Sequence, residues 1–318
     1  MNYLEVIKRS FQIIWQNKFL WIFGFFLGGA LGGGFNFGSG NKFQQSEDKD
    51  KEALEQLFWQ GRDFFYTHFR EIITIAIVVG LILLLFIILM IVLRVFSRGA
   101  LVKASNQLDD ETPTTFKQSL HQAKPYFWKI LGLGIIFSII KFFLFIIPFM
   151  LFLFGLIFTL SQKGTWPILI LLGISAFCLF IISLLANILI GLIQKYASCF
   201  LILKDQKVIE SIEAGIKLFR TFWKQSALMW LWLFLIGIGV SFALLLGILV
   251  IAIPFVLLGI ILTLIFKTAG LIIAISLGIL GLVVFMVVAR GGIGAYFETV
   301  WVLTFKRLFK KTEEETSV

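Results

Sequence analysis

Lys141 is the residue with the clearest chemical promise in this 318-residue chain. It stands in an apolar run between Ile139-Ile140 and Phe142-Phe143, where an ammonium could draw an anionic headgroup or solute into a cavity. The competing reading is a lysine near the interface, its stem on apolar surface and its charge reaching water. Asn187 and Gln194 stand a heptad apart and could line the same cavity. Packing two helices by side-chain hydrogen bonds is the alternative use for that pair. Glu298, within the apolar stretch Ala295 to Trp301, reads as one half of an ion pair with nearby Arg290.

Catalytic chemistry finds no such foothold. No Asp or Glu interrupts the long apolar runs, so a carboxylate proton relay or a charged cation site is not expected. His68 and His121 lie in connecting segments without a companion at metal-ligand spacing. No His-Glu-x-x-His and no Gly-x-Ser-x-Gly occurs. Gly32 to Lys42 looks like a phosphate cradle but lacks the Gly-Lys-Ser/Thr ending and a preceding strand, which leaves a flexible exit loop. Cys178 and Cys199 read as small buried hydrophobes. No catalytic residue, metal ligand or cofactor is expected.

The elements that would position Lys141 are membrane helices. Hydrophobic residues make up 59% of the chain and charged residues 14%, with a mean hydropathy of +0.98. Charge-free runs cover 19–41, 72–93, 142–162, 164–194, 225–266 and 268–289. Each reaches the roughly 20 residues needed to cross about 30 Å of hydrocarbon. The third run is expected to kink at Pro148, and the fifth, about 63 Å long as a helix, near Pro254 before a short turn at Lys267.

Three of these runs are entered in the same way. Leu4, Ile7, Phe11 and Ile14 form one helix face leading to Trp15 and Lys18. Phe116, Leu120, Ala123 and Phe127 lead to Trp128 and Lys129, after a helix start at Thr112-Pro113. Ile209, Ile212, Ile216 and Phe219 lead to Trp223 and Lys224. Each pair of Trp and Lys reads as an interfacial hinge between a surface helix and a span. Arg98, Lys195 and Arg290 recur at the end of the second span of each unit. Gly24, Gly28 and Gly32 share a face, a small-xxx-small spacing that suits either close helix packing or a thin, flexible span. A further outer-surface helix is expected over residues 50–70.

The expected architecture is an all-α polytopic membrane protein of six spans. Its single membrane domain, residues 1–318, holds three parallel repeats of an interfacial helix plus a transmembrane hairpin. Repeat 1 covers 1–110, repeat 2 covers 111–205 and repeat 3 covers 206–308, with a charged cytoplasmic tail over 309–318. Both termini are placed inside, which gathers 20 of the 28 basic residues there against 11 of the 18 acidic ones. The net charge of +10 is thus a basic belt facing anionic inner-leaflet lipids rather than a nucleic-acid surface.

The Phe-x-x-x-Trp entries (Phe11/Trp15 and Phe219/Trp223), the tripled hairpin and the closing segment from Ala295-Tyr296 to Lys306-Arg307-Leu308 carry a resemblance. The chain resembles a broad group of six-span bacterial and archaeal membrane proteins. That group includes the membrane domain found ahead of some glycerophosphodiester phosphodiesterases. The resemblance covers the membrane part only, because the phosphodiesterase barrel with its His and acidic metal ligands has no counterpart here. The expected function is that of a non-enzymatic scaffold or accessory factor in the plasma membrane of a prokaryote. It would act through the lipid bilayer and a membrane-protein partner. The alternative is a carrier or channel for a lipid-like or anionic solute, with a cavity between the repeats.

Overall fold

A computed structural model describes residues 2–28, 68–161 and 166–316. The glycine-rich loop and most of the expected outer helix over 50–70 lie outside the described residues. What is described is helical, without a strand. The helices are α1 (Tyr3–Gln16), α2 (Leu20–Gly28), α3 (Phe69–Asp109), α4 (Phe116–Ala123), α5 (Phe127–Ser161), α6 (Trp166–Leu203), α7 (Val208–Thr221) and α8 (Trp223–Thr316), with a 3₁₀ turn over Lys124–Tyr126. Four stretches are long and apolar enough to cross a membrane: Phe69–Asp109, Phe116–Ile157, Gly173–Leu203 and Trp223–Glu314.

The last of these is two arms. Lys267 takes φ 50° and ψ −127°, which breaks the helical backbone there. Gly247 then faces Phe285, Phe255 faces Gly278 and Gly281, and Gly259 faces Ala274, so the arms run antiparallel. Helical backbone continues through Pro254 in α8 and through Pro148 in α5, so neither proline ends its helix. A proline costs one backbone bond, and a long helix re-satisfies the freed carbonyl locally. Helices α5 and α6 form a second antiparallel hairpin, joined where Ser183 Oγ donates to the Leu144 carbonyl at 3.0 Å.

The packed core lies at one end of these helices. Most of the apolar side chains in the long runs are exposed, from Ile75 to Leu89 in α3 and from Leu245 to Ile265 in α8. The buried cluster instead gathers Leu101 and Val102 of α3, Leu201 and Ile202 of α6, and Val302 and Leu303 of α8. Val6 and Ile13 of α1, Ala123 of α4 and Leu218 of α7 close over them. The helices therefore run on well past their apolar stretches. Arg98 and Lys195 do not end α3 and α6, and α8 runs on through residues 309–316.

The entry helices turn a different stripe to this core from the one the hydrophobic periodicity suggests. Helix α1 buries Val6, Ser10, Ile13 and Ile14 and leaves Leu4 and Phe11 exposed; α7 buries Ser211, Gly215 and Leu218 and leaves Ile209 exposed. Small residues face inward because the helices approach closely: a Cβ on Gly215 would lie 2.9 Å from the Ala197 nitrogen. Helix α4 starts at Phe116 and not at Pro113, because the Thr115 hydroxyl, rather than Thr112, accepts from the Gln118 N–H as N-cap.

Ion pairs tie the same end together. Asp109, nearly fully buried, lies 2.8 Å from Lys306 Nζ, 3.7 Å from Arg9 and 3.9 Å from Arg307. This links α1, the end of α3 and the end of α8. Lys129 Nζ donates to Asp205 at 2.7 Å and holds that exposed carboxyl below the usual carboxylate range. A carboxyl lowered on folding stabilises above about pH 4, and the effect fades as pH falls through the folded value. Asp205→Asn is accordingly expected to lower the unfolding temperature slightly at neutral pH. The gap from the parent should close in acid; a gap that widened would refute the bridge.

Candidate basic cavity at the packed end

Lys141 lies on α5 and Gln194 on α6, and the antiparallel hairpin brings them together: Lys141 Nζ donates to Gln194 Oε1 at 2.6 Å. Both line a cavity of about 600 Å³ between α2, α3, α5 and α6. Arg94, Arg98 and Ser138 complete its polar wall. Leu27, Ile91, Val95, Ile130, Ile135 and Ile139 form its apolar wall. No acidic residue is among the lining residues. Asn187 is not among them either; its Nδ2 donates to the Ser183 carbonyl of its own helix at 2.9 Å. Of the three polar candidates, then, two meet and the third serves its own helix.

A second cavity of about 290 Å³ shares Leu27 and Gly28 with the first. It is lined by Lys195, Arg290 and Glu298. Glu298 is buried and pairs with Lys195, and its Oε1 lies 3.8 Å from Arg98 Nε. The ion-pair partners of Glu298 among the described residues therefore come from α6 and α3, and Arg290 lines the same small cavity. Charges taken out of water persist only when paired, so this cluster ties three helices, α3, α6 and α8, to one carboxylate.

Neither Arg94 nor Arg98 is among the site residues expected from the sequence, where Arg98 reads as the end of a span. The recurrence of Arg98, Lys195 and Arg290 at matching places was the available signal, because equivalent positions in parallel units can meet near one axis. The hinge residues sit as follows. Trp15, Trp128 and Trp223 are 58%, 77% and 55% exposed. Trp15 stacks on Phe11, and Lys224 Nζ lies 5.8 Å from the Trp223 ring. Lys18 is exposed in the turn between α1 and α2.

Arg94 and Lys141 stand at similar distances from the far ends of their helices. The apolar run leading to Arg94, 72–93, spans about 33 Å, and the run from Lys141 to the far end of α5 about 30 Å. Both match the hydrocarbon thickness of a bilayer. A family of unknown function, DUF7544, has a model that matches residues 17–309. The chain belongs to that family. No curated protein and no solved structure matches it. The DUF7544 match takes in every lining residue of both cavities. Chemically, the larger cavity offers two guanidinium forks, an ammonium and an apolar wall, a set suited to binding an anionic amphiphile.

Proposed function

We propose that this protein is a non-enzymatic scaffold or accessory factor of a prokaryotic plasma membrane, acting through lipid and protein contacts. Six spans cross the bilayer, with both termini in the cytoplasm. They comprise the segment begun by α2, then α3, α5, α6 and the two arms of α8. Three parallel repeats, each an interfacial helix plus a hairpin, account for this plan. The observation that carries the reading is the division of labour along the helices. Their apolar stretches are exposed where lipid would lie, while their far ends pack with α1, α4 and α7.

The three exposed tryptophans support interfacial hinges, since indole rings favour the headgroup level. Helices α3 and α6 also both lead into a left-handed carboxylate, Glu111 and Asp205, before the next entry helix. That shared ending supports parallel units. The basic residues at the packed end would face anionic inner-leaflet lipids. The resemblance to the membrane domain of glycerophosphodiester phosphodiesterases is consistent with the same plan. A second reading, a carrier for a lipid-like or anionic solute, is favoured by the basic cavity against Lys141.

Cysteine labelling tests the topology. In a background with Cys178 and Cys199 replaced by alanine, Ser161→Cys is expected to react with an impermeant maleimide from outside intact cells. Ser317→Cys should react only after the membrane is opened. Labelling of position 317 in intact cells would overturn the arrangement, and the scaffold reading with it.

A further inference from the structure

We propose that the basic cavity holds the phosphate of one anionic glycerophospholipid, gripped by Arg94, Arg98 and Lys141, with its acyl chains leaving toward the bilayer past Ile135 and Ile139. The proposal rests on the reading that this end of the helices sits at the inner-leaflet headgroups. It goes beyond a diffuse basic belt, because it names a discrete site, a ligand class and a stoichiometry.

Charge is the first argument. Three cations line the cavity without an acid among them. Among the described residues the carboxylate close by is Glu298, which pairs with Lys195 and reaches Arg98 Nε only at 3.8 Å, so one acid is shared between those two cations. Arg98 Nε is buried without a hydrogen-bond partner. Lys141 donates to a neutral amide, which supplies no compensating charge. Arg94 has no carboxylate within salt-bridge distance among the described residues. Three cations gathered at the edge of a low-dielectric slab repel one another and lose hydration. A phosphodiester that accepts from two guanidiniums and an ammonium relieves both costs at once.

Depth is the second. Arg94 and Lys141 each stand about one hydrocarbon thickness from the far end of their apolar runs, which is where lipid phosphates lie. Shape is the third. The volume of about 600 Å³ falls within the range of small-ligand sites, roughly 300–1,000 Å³, and suits a headgroup rather than a whole lipid. Ile135 and Ile139 line the cavity and are also half exposed on the outer surface of α5. The apolar wall is thus continuous with the lipid-facing surface. Acyl chains could follow it, whereas a free phosphate ion would gain nothing from it.

The test uses the full chain, purified in mild detergent and examined by native mass spectrometry after incubation with phosphatidylglycerol or phosphatidylcholine. One phosphatidylglycerol per protein is expected to survive activation. Phosphatidylcholine, whose phosphate is already offset by choline, should be lost. Arg94→Gln with Lys141→Met should weaken retention by at least about tenfold, since two charge-assisted contacts go. Gly134→Leu tests the cavity without touching charge: Gly134 lines it, and a Cβ there meets nothing within 4 Å. That variant should unfold like the parent yet lose the lipid, while Gly132→Leu, also open but not a lining residue, should keep it.

Equal retention in the parent, the charge variant and Gly134→Leu would overturn the site. Displacement of the lipid by millimolar inorganic phosphate would overturn the lipid as ligand and leave a phosphate-ion site. Specific retention together with reversed cysteine labelling would overturn the proposed topology and the inner-leaflet assignment and leave the lipid site itself standing. Lost retention with labelling as expected would sink the lipid site and spare the topology.

Discussion

Replacing Gly24 by alanine, one methyl group, is expected to cost on the order of 3 kcal/mol or more of stability in detergent. Helix α2 meets the second arm of α8 backbone to backbone. A Cβ at Gly24 would overlap the Gly291 carbonyl oxygen and the Ala295 nitrogen, and one at Gly294 would overlap the Gly24 carbonyl. A Cβ at Gly291 would lie 2.5 Å from the Trp21 carbonyl oxygen. None of these atoms is the end of a flexible side chain, so the only relief is to move one helix off the other. Most of the loss therefore comes with the first methyl, and Gly24→Leu should add little to it. Trp21, whose Nε1 donates to the Ile14 carbonyl at 3.0 Å, would lose its seat between α1 and α8 as well. Gly80, where a Cβ meets nothing within 4 Å, supplies the control: Gly80→Leu should stay within about 0.5 kcal/mol of the parent. Reversible unfolding in mixed detergent micelles measures all three. A Gly24→Ala variant as stable as Gly80→Leu would mean that α2 does not dock here.

Part of that contact could be read in advance. Gly24 and Gly28 stand four apart in an apolar run, a spacing that fits close approach as well as a thin, flexible span, and the contact with α8 decides for close approach. The membrane-length helices were legible for a related reason: lipid leaves a long apolar run few alternatives to helix. The partner of Gly24 was not legible, because nothing local in Gly291-Gly292-Ile293-Gly294 says which of several helices it meets.

The packed end was harder still to see. Its helices continue past Arg98 and Lys195, residues that look like the point where a span stops. Beyond them the core is built partly from small polar contacts, such as Ser105 Oγ with Thr299 Oγ1 at 2.9 Å and Tyr196 Oη with Ser226 Oγ at 2.7 Å. Such pairs leave little hydrophobic periodicity to find. In the entry helices, apolar residues fall on two faces, one for the core and one exposed. A stripe chosen by hydrophobicity alone, such as Leu4, Ile7, Phe11 and Ile14, therefore mixes the two. At the basic cavity, Lys141 was conspicuous as a lone charge. Arg94 and Arg98 were not, since a basic residue at a span end has an ordinary explanation. Only the register of α3 against α5 and α6 makes them one site.

Glu298→Gln is expected to be the most destabilising single change among the charged residues, at about 3–5 kcal/mol. Removing the carboxylate leaves Lys195 and Arg98, both less than a third exposed, as like charges beside each other with no acid between them. Most of the loss is the penalty of stranding those cations rather than the worth of the pair. Removing Lys195 as well should therefore return part of it. Lys195→Met with Glu298→Gln is expected to be more stable than Glu298→Gln alone, and a double-mutant cycle by denaturant unfolding reads the difference directly. Strict additivity of the two changes would show that they do not interact. The same substitution also bears on the neighbouring cavity. Arg98 would no longer share its guanidinium with Glu298 and would turn its full charge to an anion held beside Arg94. Glu298→Gln should thus weaken the fold while slowing the dissociation of phosphatidylglycerol. Opposite signs in the two measurements separate a ligand site from a merely structural cluster, in which stability and retention would fall together.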